Sequence, residues 1–107
     1  MKWEVKYLDE AVDDLKKLDS SSRIKVIKKI NRVSENPISY QDGGYGKPLG
    51  NHVSSKLAGF FKIKLQKPAI RVVYKLVRDG NLMQIIVISV RDDEEVYKLA
   101  NKRRNSQ

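Results

Sequence analysis

Basic side chains that could bind a phosphate group are concentrated in the middle of the sequence. No acidic residue occurs from Gly43 to Arg78. The same stretch contains these basic residues: Lys47, Lys56, Lys62, Lys64, Lys67, Arg71, Lys75 and Arg78. In residues 61–65 apolar and basic residues alternate, which is typical of a strand with one exposed face, so Lys62 and Lys64 point the same way, about 7 Å apart. Because adjacent like charges repel, this spacing predicts an anionic partner and favours a nucleic-acid backbone.

Two later strand-like segments are predicted to add to the same face. On the second segment Arg71 shares parity with Val73 and Lys75, and on the third segment Ser89 shares parity with Arg91. If the faces coincide, Lys62, Lys64, Arg71 and Arg91 surround one anion. The alternative is an ordinary solvent-exposed basic sheet, which explains any single lysine more easily than it explains the whole set.

Other conventional catalytic sets are missing from the sequence. There is no cysteine, and His52 is the single histidine, so thiol chemistry and a two-histidine ribonuclease mechanism are both excluded. The acidic residues fall mainly at two helix starts, where we interpret them as solvated and favoured by the helix dipole. We therefore predict neither a metal ion nor a cofactor. Tyr97 could stack on a base or act near the ribose; the alternative is a packed ring with a wet hydroxyl.

Hydrophobic periodicity predicts the elements that must position these residues. Strand-like patterns occur at residues 2–7, about 56–65, 70–78 and 82–90. Helical spacing occurs from residue 9, from the serines at 20–22 to Asn36, and from near Asp92. The segment 37–55 is a long glycine-containing connection, and Asp79-Gly80 predicts a hairpin turn. The predicted fold is α+β, in the order β-α-α-β-β-β-α: a small, mainly antiparallel four-stranded sheet with an N-terminal helical hairpin and a C-terminal helix.

Length and charge restrict the class of protein. The 107 residues suit a single domain spanning 1–107, and the formal net charge of +9 favours a polyanionic partner such as nucleic acid, an anionic membrane surface or an acidic protein. No apolar run is long enough to span a membrane, and the charged N-terminus does not resemble a signal peptide. We expect a soluble, cytoplasmic protein that does not act in a membrane.

Four short segments resemble a known family. They are Lys62-Ile63-Lys64-Leu65, Arg71-Val72-Val73-Tyr74, Val87-Ile88-Ser89-Val90-Arg91 and Glu95-Val96-Tyr97. The upstream segment Lys47-Pro48-Leu49-Gly50 is also similar. In order and spacing these segments resemble the RelE family of bacterial toxins, within the RelE/ParE superfamily, along nearly the whole chain.

The resemblance implies an activity and a role for each residue. RelE-type toxins are ribosome-dependent, metal-independent messenger-RNA endonucleases that act in the ribosomal A site, inhibit translation and are neutralised by a cognate antitoxin. By resemblance, Lys62, Lys64 and Arg71 hold the scissile phosphate and stabilise its added charge. Arg91 assists the leaving 5′-oxygen, and Tyr97 orients the nucleotide and helps to activate the 2′-hydroxyl. The implied products are a 2′,3′-cyclic phosphate (or 3′-phosphate) and a 5′-hydroxyl.

Further basic residues are predicted to contact the message or ribosomal RNA. They are Lys47, Lys56, Lys67, Lys75, Lys102, Arg103 and Arg104. None of the proposed catalytic groups has an ordinary pKa near 7, although packed cations can lower a lysine pKa. We therefore expect weak activity on free RNA.

The sequence departs from the family pattern on both sides of the candidate residues. The loop before Lys62 is longer, and the segment between Val90 and Tyr97 is shorter, with Asp92 and Asp93 placed to pair with or screen Arg91. Two alternatives stay open. A ParE-like toxin, which inhibits DNA gyrase, shares the fold, and a non-catalytic nucleic-acid-binding domain shares the charge.

Overall fold

A five-stranded mixed sheet organises the chain in a computed structural model, which describes residues 3–49 and 59–104. The strands are β1 (Glu4–Tyr7), β2 (Lys47–Pro48), β3 (Phe60–Gln66), β4 (Ala69–Val77) and β5 (Leu82–Ser89). The helices are α1 (Asp9–Lys16), α2 (Ser20–Val33) and α3 (Asp93–Arg103), with a 3-10 turn at Tyr40–Asp42. The sheet order is β1-β5-β4-β3-β2. The predicted α+β class, the helical hairpin and the C-terminal helix are confirmed.

The sheet has one strand more than the four that were predicted. Lys47 and Pro48, which lie in the segment predicted to be irregular, pair antiparallel with Lys62 and Phe61. A two-residue strand is too short to show alternation in the sequence, so the pattern could not reveal it. The other pairings are antiparallel from β3 through β4 to β5, and β1 runs parallel to β5.

The two faces of the sheet pack against different helices. One face carries Phe61, Ile63 and Val72, which are buried on the side of the α1–α2 hairpin. The opposite face carries Val73 and Val87, and α3 covers it with the buried Val96 and Ala100. Lys62 is the register partner of Val73, so the covered face is also the basic face. Packing of α3 therefore brings its first turn next to the cations of β3 and β4.

A buried tyrosine anchors the connection that follows α2. Tyr74 is fully buried, stacks on Phe61 with ring centroids 5.4 Å apart, and donates a hydrogen bond from its hydroxyl to the Pro37 carbonyl over 2.8 Å. A side chain at Gly46 would lie 2.6 Å from that hydroxyl, so the close approach of this loop requires glycine.

The turn between β4 and β5 agrees with the Asp79-Gly80 signal. Gly80 and Asn81 both have positive φ angles, of 92° and 53°, which glycine and asparagine tolerate best. No helix in the described part of the chain combines the length and the apolar character that crossing a bilayer would take.

Candidate active site

Three basic side chains lie together on the sheet face below α3. Lys64 and Arg71 are direct cross-strand partners, and Lys62 is two residues away on the same face of β3. Lys64 is exposed, whereas the side chains of Lys62 and Arg71 are only 14% and 19% exposed. The register thus agrees with the alternation in the sequence and produces a partly enclosed cluster of positive charge.

Tyr97 reaches the cluster from α3. The Lys62 ammonium donates a hydrogen bond to the Tyr97 hydroxyl over 3.0 Å and lies 5.7 Å from the centre of its ring. This contact joins residues 35 positions apart in the sequence. The phenol therefore lies beside the lysine at the edge of the basic cluster.

Asp93 supplies a negative charge that sequence reasoning missed. Its carboxylate lies 2.5 Å from Nε of Arg71 and 3.6 Å from Nζ of Lys62. The sequence placed Asp93 beside the Arg91 side chain, whereas α3 folds over the sheet and brings the carboxylate to Arg71 and Lys62. The acidic start of α3 is also not simply solvated: Asp92 caps the helix by accepting from the Glu95 N–H over 3.0 Å, while Asp93 faces the cations.

The short contact between Arg71 and Asp93 is an ion pair without hydrogen-bond alignment. Arg71 Nε and Asp93 Oδ1 are both buried, and neither has a regular hydrogen-bond partner in residues 3–49 and 59–104. The Nη1 nitrogen of Arg71 donates instead to the Arg91 carbonyl over 2.7 Å. The guanidinium is thereby held between the first turn of α3 and the backbone that precedes it.

The cluster shifts the pKa of two of its members. The hydrogen bond with Tyr97, helped by the charge of Asp93, raises the pKa of Lys62 against the opposing effect of burial. Burial also disfavours the charged form of Asp93, but the neighbouring charges of Lys62 and Arg71 lower the pKa of its carboxyl overall. Packed cations can lower a lysine pKa, but the pKa of Lys62 is raised, because the phenol and the acid outweigh the effect of burial.

Arg91 contacts the basic cluster through its backbone carbonyl rather than through its side chain. The side chain is 65% exposed and lies 3.7 Å from the Glu95 carboxylate, one helical turn further along. The four-cation convergence predicted from parity is therefore incomplete, because only Lys62, Lys64 and Arg71 share the cluster. The chain leaves the sheet after Ser89, so strand parity no longer determines where Arg91 points.

The residues predicted to contact RNA are distributed over several surfaces. Lys47 is exposed and is the register partner of Lys62, and Lys75 lies 5.9 Å from the Phe60 ring centre. Lys67 and Lys102 are exposed, and Arg104 donates to the Asn101 side chain over 3.0 Å. Lys56 lies outside the described residues.

Arg103, which was predicted to contact RNA, forms an ion pair within the fold. Its guanidinium pairs with Asp14 over 2.7 Å and donates to the Ile86 carbonyl over 3.1 Å. The two charged side chains are only 15% and 11% exposed. The sequence could not show this pairing because the partner comes from α1, 89 positions away, where the pattern indicated a solvated helix start.

Chemically, the cluster can bind an anion. Lys62, Lys64 and Arg71 offer ammonium and guanidinium donors on one face, and Tyr97 offers a hydroxyl beside them. Within residues 3–49 and 59–104, no three histidine, cysteine, aspartate or glutamate side chains form a group that could hold a metal ion.

Comparison with known proteins agrees with the resemblance in the sequence. No family model matches the chain. A curated Escherichia coli protein described as a putative RelE-like toxin is 27% identical over 107 residues, covering 96% of this chain and 98% of the relative. A free variant of the E. coli toxin RelE superimposes with a TM-score of 0.75 at 24% identity, covering 96% and 98% of the two chains.

A third match is a toxin–antitoxin complex. The RelBE2 complex of Mycobacterium tuberculosis gives a TM-score of 0.67 at 23% identity, over 87% of this chain and 95% of the matched one. At these identities the solved structures show a common fold, and the curated relative adds similarity in sequence. The RelE resemblance is thereby confirmed, and the chain is RelE-like in sequence and in fold along nearly its whole described length.

Proposed function

We propose that this protein is a RelE-like toxin that cuts messenger RNA in the ribosomal A site and so inhibits translation. The observation that carries the proposal is the convergence of Lys62, Lys64 and Arg71 on one sheet face, with the Tyr97 hydroxyl 3.0 Å from Lys62. RNA supplies its own nucleophile in the 2′-hydroxyl. A site that binds, aligns and neutralises one linkage is therefore sufficient to accelerate cleavage.

The reaction that suits this set of groups is an internal transesterification. The 2′-oxygen attacks the phosphorus and loses its proton, the bond to the 5′-oxygen breaks, and the 5′-oxygen takes up a proton. The products are a 2′,3′-cyclic phosphate and a 5′-hydroxyl. Lys62, Lys64 and Arg71 stabilise the additional negative charge on the phosphorus oxygens, and Tyr97 positions the ribose.

Dependence on the ribosome follows from the acid–base properties of these groups. Lysine and tyrosine ordinarily titrate near 10, and the environment of Lys62 raises its pKa further. Neither is then an efficient proton acceptor at neutral pH. We expect slow cleavage of free RNA and fast cleavage where the ribosome holds the message in line.

A cognate antitoxin and a cytoplasmic setting belong to the same proposal. The formal net charge of +9 suits an acidic or amphipathic partner that folds as it wraps the toxin. The structural relative from M. tuberculosis is itself a toxin–antitoxin complex, which supports this kind of partner. The gene for such a partner is expected beside the toxin gene.

Induced expression in bacteria tests the proposal. Primer extension on an abundant message should reveal cuts within codons, and these cuts should disappear when translation is blocked. The triple variant K62A/K64A/R71A should lose growth inhibition and message cleavage. The variant removes all three proposed phosphate-binding side chains. Since deleting one oxyanion-type donor costs about a hundredfold or more in rate, a loss of at least about a hundredfold is expected.

A matched triple variant controls for the loss of charge. K6A/K16A/R78A removes the same number of cations from exposed positions outside the cluster and should stay toxic. Equal cleavage by both triples would refute the proposal. Gyrase trapping and DNA damage with intact messages would select a ParE-like toxin, and salt-dependent RNA binding without cleavage would select a binding domain.

A further inference from the structure

The guanidinium of Arg71 already contacts a protein group on each of the two edges that could bind an anion. Arginine binds phosphate best through two adjacent N–H groups, either Nε with Nη2 or Nη1 with Nη2. Nε faces the Asp93 carboxylate at 2.5 Å, and Nη1 donates to the Arg91 carbonyl at 2.7 Å. One nitrogen of each edge therefore already has a partner. A bidentate contact with a phosphate requires either the Asp93 carboxylate or the Arg91 carbonyl to move away.

Asp93 is the partner that an anion can replace. Its side chain is 38% exposed, so solvent and small ions reach it, whereas the Arg91 carbonyl belongs to the backbone. Like a phosphate, the carboxylate lies against both Arg71 and Lys62 and carries a negative charge. It also leaves the cluster with excess positive charge, because Lys64 adds a third cation on the same face.

We infer that Asp93 is a resident anion in the phosphate site: its carboxylate occupies the position of the scissile phosphate in the free protein, and a phosphate must displace it to bind. The inference rests on the proposed function and adds an internal competitor to it. The first helical position of α3 keeps the carboxylate there, because the helix dipole favours a negative charge at this end. Displacement frees Lys62 and Arg71 to bind the ligand beside Lys64, which is already exposed.

Binding of inorganic phosphate to the intact protein tests the inference without any RNA. D93N keeps the shape of the side chain and removes its charge, so it should bind phosphate about tenfold more tightly than the wild type in calorimetric titrations at pH 7, which corresponds to about 1.4 kcal/mol. The matched control is D92N, which removes an equal charge one residue away. Asn is a good N-cap, and Asp92 is the helix cap, so D92N should fold normally.

D92N should change the affinity for phosphate by less than about twofold, because ions in solution screen the Asp92 charge, which lies outside the cluster. Equal gains in D93N and D92N would mean that only net charge matters, and a loss of phosphate binding in D93N would mean that Asp93 belongs to the binding site. Either result overturns the inference.

A measurement on the wild-type protein covers the case in which D93N does not fold. The carboxyl carbon resonance of Asp93 should move on addition of phosphate, and that of Asp92 should move much less. An unmoved Asp93 resonance at saturating phosphate overturns the inference. Neither readout involves message cleavage, so this test and the expression test can fail separately. A toxin without a competing carboxylate would cleave messages, but its Asp93 resonance would not respond to phosphate. A protein with a competing carboxylate but no nuclease activity would show the reverse.

Discussion

Asp93 links the charge of the candidate site to the stability of the fold. Lys62, Lys64 and Arg71 lie on one face, where their mutual repulsion opposes folding. The carboxylate from α3 offsets part of that repulsion and also holds the first turn of the helix against the sheet. A residue that obstructs the phosphate is therefore also one that stabilises the free protein, which is a common compromise at binding sites.

This dual role predicts a pH-dependent stability. The pKa of Asp93 is lowered by the cations, so its contribution to the free energy of unfolding is present above the ordinary aspartate pKa and is lost as the pH falls through the lowered value. D93N should be less stable than the wild type at pH 7 by about 1 kcal/mol, a value suited to a partly exposed ion pair. In urea unfolding followed by circular dichroism, the difference should disappear at low pH.

D92N again provides the comparison for this experiment. It keeps the helix cap and has no contact with Lys62 or Arg71 among the described residues, so its stability should follow that of the wild type more closely. If D93N lowers the free energy of unfolding equally at pH 7 and at low pH, then the amide disturbs packing and the ion pair contributes little.

At the scale of elements, a second ion pair closes an exposed edge of the sheet. β1 pairs with β5 only as far as Ile85, so no strand among the described residues covers the rest of β5 on that side. Asp14 of α1 accepts from the Ile88 N–H over 3.0 Å, and Arg103 of α3 donates to the Ile86 carbonyl over 3.1 Å. The two side chains also pair with each other, so one contact joins both helices to the free edge.

Removing one partner of this pair should be costly. D14A leaves the mostly buried Arg103 charge and the Ile88 N–H without their carboxylate, and a loss of about 3 kcal/mol in the free energy of unfolding is expected. D13A, an exposed neighbour on the same helix, should change stability by less than about 0.5 kcal/mol. Urea midpoints measure both; similar midpoints for the two variants would contradict the structural role.

The same elements show how far the sequence could predict the site. Alternation placed Lys62 and Lys64 on one face of β3, because side-chain direction within a strand follows from position alone. That Arg71 of β4 shares this face depends on the cross-strand register, which the sequence left open and the structure supplies. Alternation could not place Asp93, Asp14 or Arg103 in their ion pairs, since those depend on where helices cross the sheet. Arg91 was misplaced because it lies two residues beyond the end of β5, where strand alternation no longer applies.

At the scale of the whole molecule, positive charge extends beyond the candidate site. A groove of about 510 Å³ lies between α2 and the end of β3. It is lined by Lys25, Lys28, Lys29, Arg32, Lys64, Leu65, Gln66 and Lys67, with no acidic side chain among the lining residues. Lys64 belongs to both the groove and the cluster, so a nucleic-acid backbone bound in the groove would lead directly to the candidate site.

Docking and chemistry should therefore be separable by substitution. K25Q/K28Q/K29Q removes three exposed cations from the groove and leaves the cluster intact, so phosphate affinity should not change. Binding to ribosomes should weaken, and the slope of log K against log salt should become shallower by up to about 2, at roughly 0.7 per released counterion on single strands. The exposed triple variant K6Q/K16Q/R78Q leaves both groove and cluster intact, so its affinity for ribosomes and its salt slope should change less. Equal slopes for the two triples in salt titrations would mean that overall charge, rather than this groove, directs the protein to RNA.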